Sequence, residues 1–399
     1  MADDYQFLNF GAKADVNDTI SVGAFFDQPW GADVEFSGDN NFVGAPTAVI
    51  DSLATPKVYP GATQLLRSLT KDPTATVTNL TELNNTLTRA EITLKRLVEL
   101  KLTDTPDYKN LSATYNALKA PTDNFNNLSK VTGATNVSIS SQNFTGLLGV
   151  KLGEKKNIQI YGGPTIQRLE GDVHLRGNAY KTASGYDANI TRDTAYGWMA
   201  GIAYLKPEIA LKAALTYRSE IDHDVTLTEN LPALGAAGVG TNEITITTPK
   251  SVNLDFQTGL NPTTLLTAKA RWVPWSDFAI KPTIYGKASG LNLVSYDDDA
   301  WTAEVGLGKK LSPQLAISGA VGYDSGAGNP ITSLGPVEGN WNVGLGAKYN
   351  LTPEWAVSGG VKYLMFGDAK AKLPDGSIVG DFQDNDGWVY GVRLSYQKK

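Results

Sequence analysis

Arg168, Glu170, Asp172 and His174 stand at every second position after the break Gly162-Gly163-Pro164. On an extended strand that spacing puts all four side chains on one face. An arginine so placed can hold a carboxylate through two parallel hydrogen bonds, and Glu170 and Asp172 are positioned to compete for it. The other histidine of the two in the chain sits in Asp222-His223-Asp224. Those residue types suit a metal, but one histidine between two acids at a rim is more often a solvated patch. A hydrolase needs a Ser–His pair oriented by a third group. Neither histidine has such a context, so no catalytic residue, metal or cofactor is expected. The third unusual group is Pro29-Trp30-Gly31, which follows an unbroken alternation of Ile20, Val22, Ala24 and Phe26. Proline cannot donate to a ladder, so this triplet is expected to open a sheet sideways. Phe25, of opposite parity to Phe26, is an apolar group on an otherwise polar face.

The elements that must position these residues are strands with two unlike faces. In the closing segment 387–396, Trp388, Tyr390, Val392, Leu394 and Tyr396 alternate with Val389, Gly391, Arg393 and Ser395. The same pattern recurs around Trp341, Trp355, Trp301, Val252 and Ile209. Aromatic residues begin or end the apolar faces, as girdles at a membrane interface do. Arg393, Lys362, Lys348, Arg271 and Lys269 lie on the opposite faces in mid-strand, where a sealed sandwich core would not tolerate them and a wet lumen would. Connections alternate between short turns (15–18, 154–156, 206–208, 261–264, 312–313 and 350–353) and long segments (37–136, 176–195, 225–244, 276–300, 324–340 and 366–386). This asymmetry belongs to outer-membrane barrels, with short periplasmic turns and long external loops. The sequence therefore predicts an all-β fold, a transmembrane antiparallel β-barrel over residues 1–399.

Composition agrees. Mean hydropathy is −0.21 and no run approaches a membrane helix, which does not weigh against a barrel, whose strands carry a weak hydropathy signal. The net charge of −6 argues against nucleic acid as a partner, and the absence of cysteine excludes a disulfide framework. The start MADDYQF has no basic or apolar leader segment. About thirteen strands can be counted from the alternation, whereas bacterial barrels are nearly always even-numbered. The closing strand runs inward, and so does the first visible one, at 5–14. An outward strand is thus expected upstream of it.

Within 37–136, Leu80, Leu83, Leu87, Ala90, Leu94 and Leu97 recur every three or four residues. The spacing predicts an amphipathic helix over 79–102 and a shorter one over 62–69. The stripe is expected to pack on the barrel rim, or to help form an external apolar funnel. Apolar parity also changes within strands. Ile158 and Ile160 are even-numbered, while Leu169, Val173 and Leu175 are odd. A bulge at Gly162–Pro164 is the expected cause, turning Arg168, Glu170, Asp172 and His174 to the lumen.

At these residues the chain resembles the FadL family of outer-membrane transporters for long-chain fatty acids and other hydrophobic compounds. AALTYRSEIDHDV (213–225), DQPWGADVEF (27–36, with Gly31 at the kink), IQRLEGD (166–172) and DDAWTAEVGLG (298–308) are similar to family segments. The family barrel has fourteen strands and an N-terminal plug. The resemblance implies a monomer in the outer membrane of a Gram-negative bacterium, surrounded by its lipid. A hydrophobic small molecule would be captured outside and released sideways at a kinked strand. It further implies a ligand-binding arginine at Arg168, with Glu170 beside it, and a lateral gate at Pro29, Trp30 and Gly31; Phe25, by its parity beside Pro29, is a further expected ligand contact. Asp298 stands where fatty-acid transporters place a lysine, which shifts weight towards neutral or aromatic hydrocarbons. The alternative is a general diffusion porin for small polar solutes, marked by a charged eyelet.

Overall fold

The alternating segments become strands of one antiparallel sheet in the computed structural model, which describes residues 6–398. β1 (Phe10–Asp15) and β2 (Ile20–Asp27) form a hairpin, and β3 (Gly31–Glu35) continues β2 beyond Pro29. Helices α1 (Pro46–Ala54), α2 (Val58–Thr70), α3 (Leu80–Glu99) and α4 (Pro106–Leu128) follow. β4 (Asn136–Leu152), β5 (Ile158–His174) and β6 (Asp187–Lys206) are long and continuous. β7 (Leu211–Arg218) continues into β8 (Ile221–Asn230), and β9 (Val239–Thr248) into β10 (Ser251–Asn261). After β11 (Thr264–Val273), the small pair β12 (Ala279–Ile280) and β13 (Val294–Ser295) flanks α5 (Thr283–Ser289). β14 (Ala300–Lys310) and β15 (Leu315–Asp324) precede β16 (Ile331–Thr332), β17 (Glu338–Asn350) and β18 (Trp355–Gly367). β19 (Ala369–Lys372) and β20 (Ile378–Phe382) lead to β21 (Asp386–Tyr396). β16, β19 and β20 form a separate three-stranded sheet.

The wall runs β1-β2-β4-β5-β6-β7-β10-β11-β14-β15-β17-β18-β21, thirteen strands in sequence order. Among the described residues β1 and β21 are not paired with each other. Tyr5, where the first strand was expected to begin, lies outside the described residues. The apolar faces point outward as the alternation predicts: Trp301, Val305, Leu307, Trp341, Val343, Leu345, Trp388 and Tyr390 are all exposed, and Val392 is 86% exposed. Only lipid makes that favourable, at roughly 25 cal/mol for each Å² kept from water.

The strands on the kink side run on past this lipid-facing band, and there the two faces exchange character. In β5, Ile158, Ile160 and Ile166 point outward, and so do Arg168, Glu170, Asp172 and His174 further along. Gln159, Thr165 and Gln167 point inward, followed by Leu169, Val173 and Leu175. The β4–β5 register is the same on both sides of Gly162–Pro164, so the expected bulge is not there. The medium changes instead. Above the membrane the outside is water, and the inside is a dry core of Leu169, Val173, Leu175, Tyr186, Val225 and Leu227 packed with loop residues such as Phe36, Ile284 and Leu334. This core closes the external end. The segment 225–244, expected as a loop, is mostly the projecting β8–β9 ribbon.

Residues 46–128 form a four-helix bundle with a core of its own, in which Leu83, Leu87 and Ala90 of α3 meet Leu65, Leu118 and Phe125. The leucine stripe thus packs on neighbouring helices, not on the barrel rim. α3 starts with a reciprocal cap: Asn79 accepts from the Glu82 N–H at 2.9 Å, and Glu82 accepts from the Thr78 N–H at 2.7 Å. α4 escapes the periodicity because Thr, Asn and an internal Pro121 dilute it. The bundle touches the wall's external end through Ser52 with Asn178 and through Asn124 with the Ala233 carbonyl.

Candidate functional site

The wall is broken where Pro29 predicts. β2 pairs with β4 as far as Asp27↔Asn143, and β3 resumes at Gly31↔Ser140, so the register moves by one residue across Gln28-Pro29-Trp30. Ser141, fully buried, replaces the missing rung. Its N–H reaches the Trp30 carbonyl at 3.0 Å, its hydroxyl donates to the same oxygen at 2.6 Å, and it accepts from the Trp30 N–H at 3.0 Å. On the other side Gln28 accepts from the Leu8 N–H at 2.7 Å. Ser141→Ala leaves the Trp30 N–H without a partner in the wall. It should lower the unfolding free energy by about 1–3 kcal/mol, measured by urea titration in lipid vesicles.

The kink folds into the lumen, where two arginines of the facing strands hold it. Arg218, at the end of β7, pairs with Asp27 at 2.7 Å, and its guanidinium stands 5.4 Å from the Phe25 ring centre. Arg271 of β11 stands 4.8 Å from the Trp30 ring centre. Both distances suit cation–π attraction. Trp30 meets Trp275 edge to face at 5.4 Å, and Trp275 contacts Phe278 at 5.4 Å and Tyr296 at 5.1 Å. Burial pushes the Tyr296 hydroxyl up to about 12, so it stays neutral. Asp299 fixes the turn that carries Trp275 by accepting from the Ser276 hydroxyl at 2.5 Å and from Trp272 Nε1 at 3.1 Å. Trp30 at the break thus begins a row of rings that runs through Trp275 to Phe278 and Tyr296, which pack against the dry core of the external end.

Beside the kink and below it the lumen is polar. One cavity of about 460 Å³ is lined by Arg271, Asp324, Asn342, Lys269, Glu304 and Lys362. Lys362 and Glu304 pair at 2.5 Å. A second, of about 480 Å³, is lined by Phe25, Tyr161, Lys13, Lys212 and Arg393. Asp255 lines both. The lumen positions expected of Arg271, Lys269, Lys362 and Arg393 are those found.

Arg168 is a correction. Its side chain is exposed on the outer face, because β5 has no bulge and its even-numbered residues all point outward. Glu170 is on the same face and pairs with Arg192 at 2.9 Å. Neither meets the lumen. Phe25 does, and Pro29, Trp30 and Gly31 form the kink. Asp222 and Asp224 point outward and accept from Thr247 and Thr245, while His223 is buried inside. Among the described residues no group of three or more His, Cys, Asp or Glu side chains is placed to hold a metal. Trp275, Phe278, Tyr296 and Ser141 were missed. The three aromatics lie in a long connection without periodicity, and nothing in the sequence pairs Ser141 with Trp30.

A lipid-facing antiparallel wall with an apolar external closure, and with aromatic rings set inside a break, defines a channel of the outer-membrane transport class. The chain belongs to the family described as outer membrane protein transport protein (OMPP1/FadL/TodX), which residues 125–397 match. Among solved structures it is similar to a Pseudomonas aeruginosa FadL homologue at 15% identity and a TM-score of 0.59, over 97% of this chain and 77% of that one. It is also similar to a deltaS2S3 mutant of the TodX monoaromatic hydrocarbon channel at 9% identity and a TM-score of 0.50, over 97% and 81% of the two chains. No curated protein matches.

Proposed function

We propose that the chain carries hydrophobic small molecules through the outer membrane and releases them sideways at the Pro29 kink. The observation that supports this most is the row of rings that leads from the external core, through Phe278, Tyr296 and Trp275, to Trp30 in the broken ladder. A greasy molecule resting on these rings avoids the polar lumen below and has lipid beyond the gap, and each CH₂ kept from water is worth roughly 0.8 kcal/mol. The ligand class that suits four rings is a neutral, planar hydrocarbon. The two similar structures, a FadL homologue and a monoaromatic hydrocarbon channel, agree with that direction. Among the described residues no carboxylate lies within ion-pair distance of Arg271. A ligand that adds a carboxylate to its hydrocarbon could therefore use that guanidinium. The lumen charges alone would suit a porin, but the dry core over the external end leaves polar solutes no open path.

Replacing residues 29–31 with regular alternating strand sequence restores the rung and closes the gap. Naphthalene entry into vesicles holding the full chain should then fall about fivefold, the effect of roughly 1 kcal/mol on a barrier. Unchanged entry would rule out lateral release at the kink.

A further inference from the structure

We infer that the wall has a second lateral passage, between β6 and β8, for the same uncharged planar hydrocarbons; this rests on the transport function proposed above. β6 pairs with β8 from Asp187↔Asn230 to Ile190↔Leu227, and with β7 from Met199↔Arg218 to Lys206↔Leu211. Between these ladders, residues 191–198 run beside 219–226 without ladder pairs. Bonds to backbone groups bridge the stretch only at its two ends. The Ser219 N–H reaches the Trp198 carbonyl at 3.0 Å, the Trp198 N–H reaches the Ser219 hydroxyl at 2.9 Å, and the Thr191 hydroxyl donates to the Thr226 carbonyl. Both edges are irregular. The β5–β6 register shifts between Leu169 and Gly171, and the inward-facing residues change parity between Arg218 and Ile221. The inner end of the stretch, where Tyr196 pairs with Ile166, lies in the lipid-facing band, where no water satisfies open backbone groups and a specific filling is needed; its outer end, where Asp193 pairs with Leu169, is already above the membrane.

The filling consists of side chains. Ile221 occupies the space over Gly197, where an added Cβ would lie 2.6 Å from Ile221 Cγ1. Towards the external end, the Asp193 carboxylate of β6 meets His223 Nδ1 of β8 at 2.9 Å. His223 Nε2 meets Gln167 Oε1 at 2.9 Å, and the Thr248 hydroxyl donates to the same oxygen at 2.6 Å. Side-chain contacts can part and re-form without unravelling a ladder. On the outer surface Tyr196 is 75% exposed, and Trp198 packs on Tyr217 at 5.1 Å. On the inner side a cavity of only about 10 Å³ is lined by Trp30, Trp198 and Ile221 and by the polar side chains of Arg218, Gln167 and Asn143. The one gap thus touches both the ring at the kink and the aromatic row facing lipid. At that volume it admits about one water, so this is the closed form. Trp198 with Tyr217 outside, Ile221 in the seam and Trp30 within offer an arene a run of apolar surface along one side of the route, beside the polar groups of Gln167 and Arg218.

The chain has no cysteine, so a pair introduced by Thr194→Cys and Asp224→Cys, on the outward faces of the two edges, reacts alone. Bridging it with a bifunctional methanethiosulfonate in the folded full chain with residues 29–31 replaced, in phospholipid vesicles, should slow the naphthalene entry that remains about fivefold, with recovery after reduction, as a barrier raised by roughly 1 kcal/mol would. Ile221→Ala, which empties the space over Gly197, should speed entry. Equal entry before and after bridging overturns the second passage. If replacing residues 29–31 still lowers entry through the unbridged chain, transport through the kink stands. If the unbridged chain passes no more naphthalene than empty vesicles, both fail together.

Discussion

Trp30→Ala should weaken naphthalene binding by about 30-fold. The ring supplies one aromatic contact worth about 1 kcal/mol beyond area, and covers roughly 50 Å² of ligand at about 25 cal/mol per Å², together about 2 kcal/mol. Trp30→Phe should retain most of the affinity, because a ring remains against Trp275. Arg271→Gln separates two kinds of ligand. A neutral arene loses only the indirect effect of a cation on the Trp30 face, about 0.5–2 kcal/mol shared with the protein's own stability. A carboxylate loses a charge-assisted bond as well, about 1.5–3 kcal/mol. Binding of naphthalene and of 2-naphthoate to both variants, followed by ligand fluorescence, decides the point. If Trp30→Ala binds naphthalene as the unaltered chain does, the rings at the kink are not the ligand site. If Arg271→Gln weakens both ligands equally, the guanidinium recognises no head group.

The membrane wall was legible because lipid on one side and water on the other impose a strict period of two. Trp388 to Tyr396 alternate without error, and the structure keeps every one of those apolar residues outside. The same period misled at Arg168. Alternation shows which residues share a face, not which medium the face meets. When Ile166 gives way to Leu169 the strand leaves the membrane, and its greasy side becomes the inner one. A parity change inside an unbroken strand was taken for a bulge, when it marks the bilayer boundary. At Asp27–Gly31 both occur together, and there proline gave the sign that β5 lacks. Trp275, Phe278 and Tyr296 were out of reach for another reason. They are brought to the kink by a connection whose path depends on Asp299, α5 and the dry core. Arg271 and Arg218 are intermediate cases. Parity places Arg271 in the lumen, but its partner, the Trp30 ring, appears only when the kink is seen to fold inward.

The connection that carries the rings hangs on one buried carboxylate, and removing it should be the most destabilising single change in the external closure. Glu229, on the inner face of β8, is 0% exposed. It accepts from the Ile284 N–H at 2.9 Å and the Tyr285 N–H at 2.9 Å, the first turn of α5, and from the Tyr186 hydroxyl at 3.0 Å. Burial, and then the Glu229 charge, raise the Tyr186 hydroxyl far above its ordinary range, so it remains a donor. A carboxylate in an apolar core persists only with such partners. The positive end of α5 adds to them. Glu229→Ala strands three donors at once and should cost about 3–5 kcal/mol in urea unfolding. Glu229→Gln keeps the shape and one acceptor, and should cost about half of that. The loss should also reach the ligand site, since Phe278 and Tyr296 flank the segment that α5 anchors. In Glu229→Ala, residues 278–296 should become open to protease, and naphthalene should bind more weakly although no ring was altered. A variant that loses stability but keeps the segment protected and the affinity intact would place Glu229 in the core's energetics alone. One that loses affinity while its unfolding is unchanged would show that the carboxylate sets the rings' position without holding the closure together.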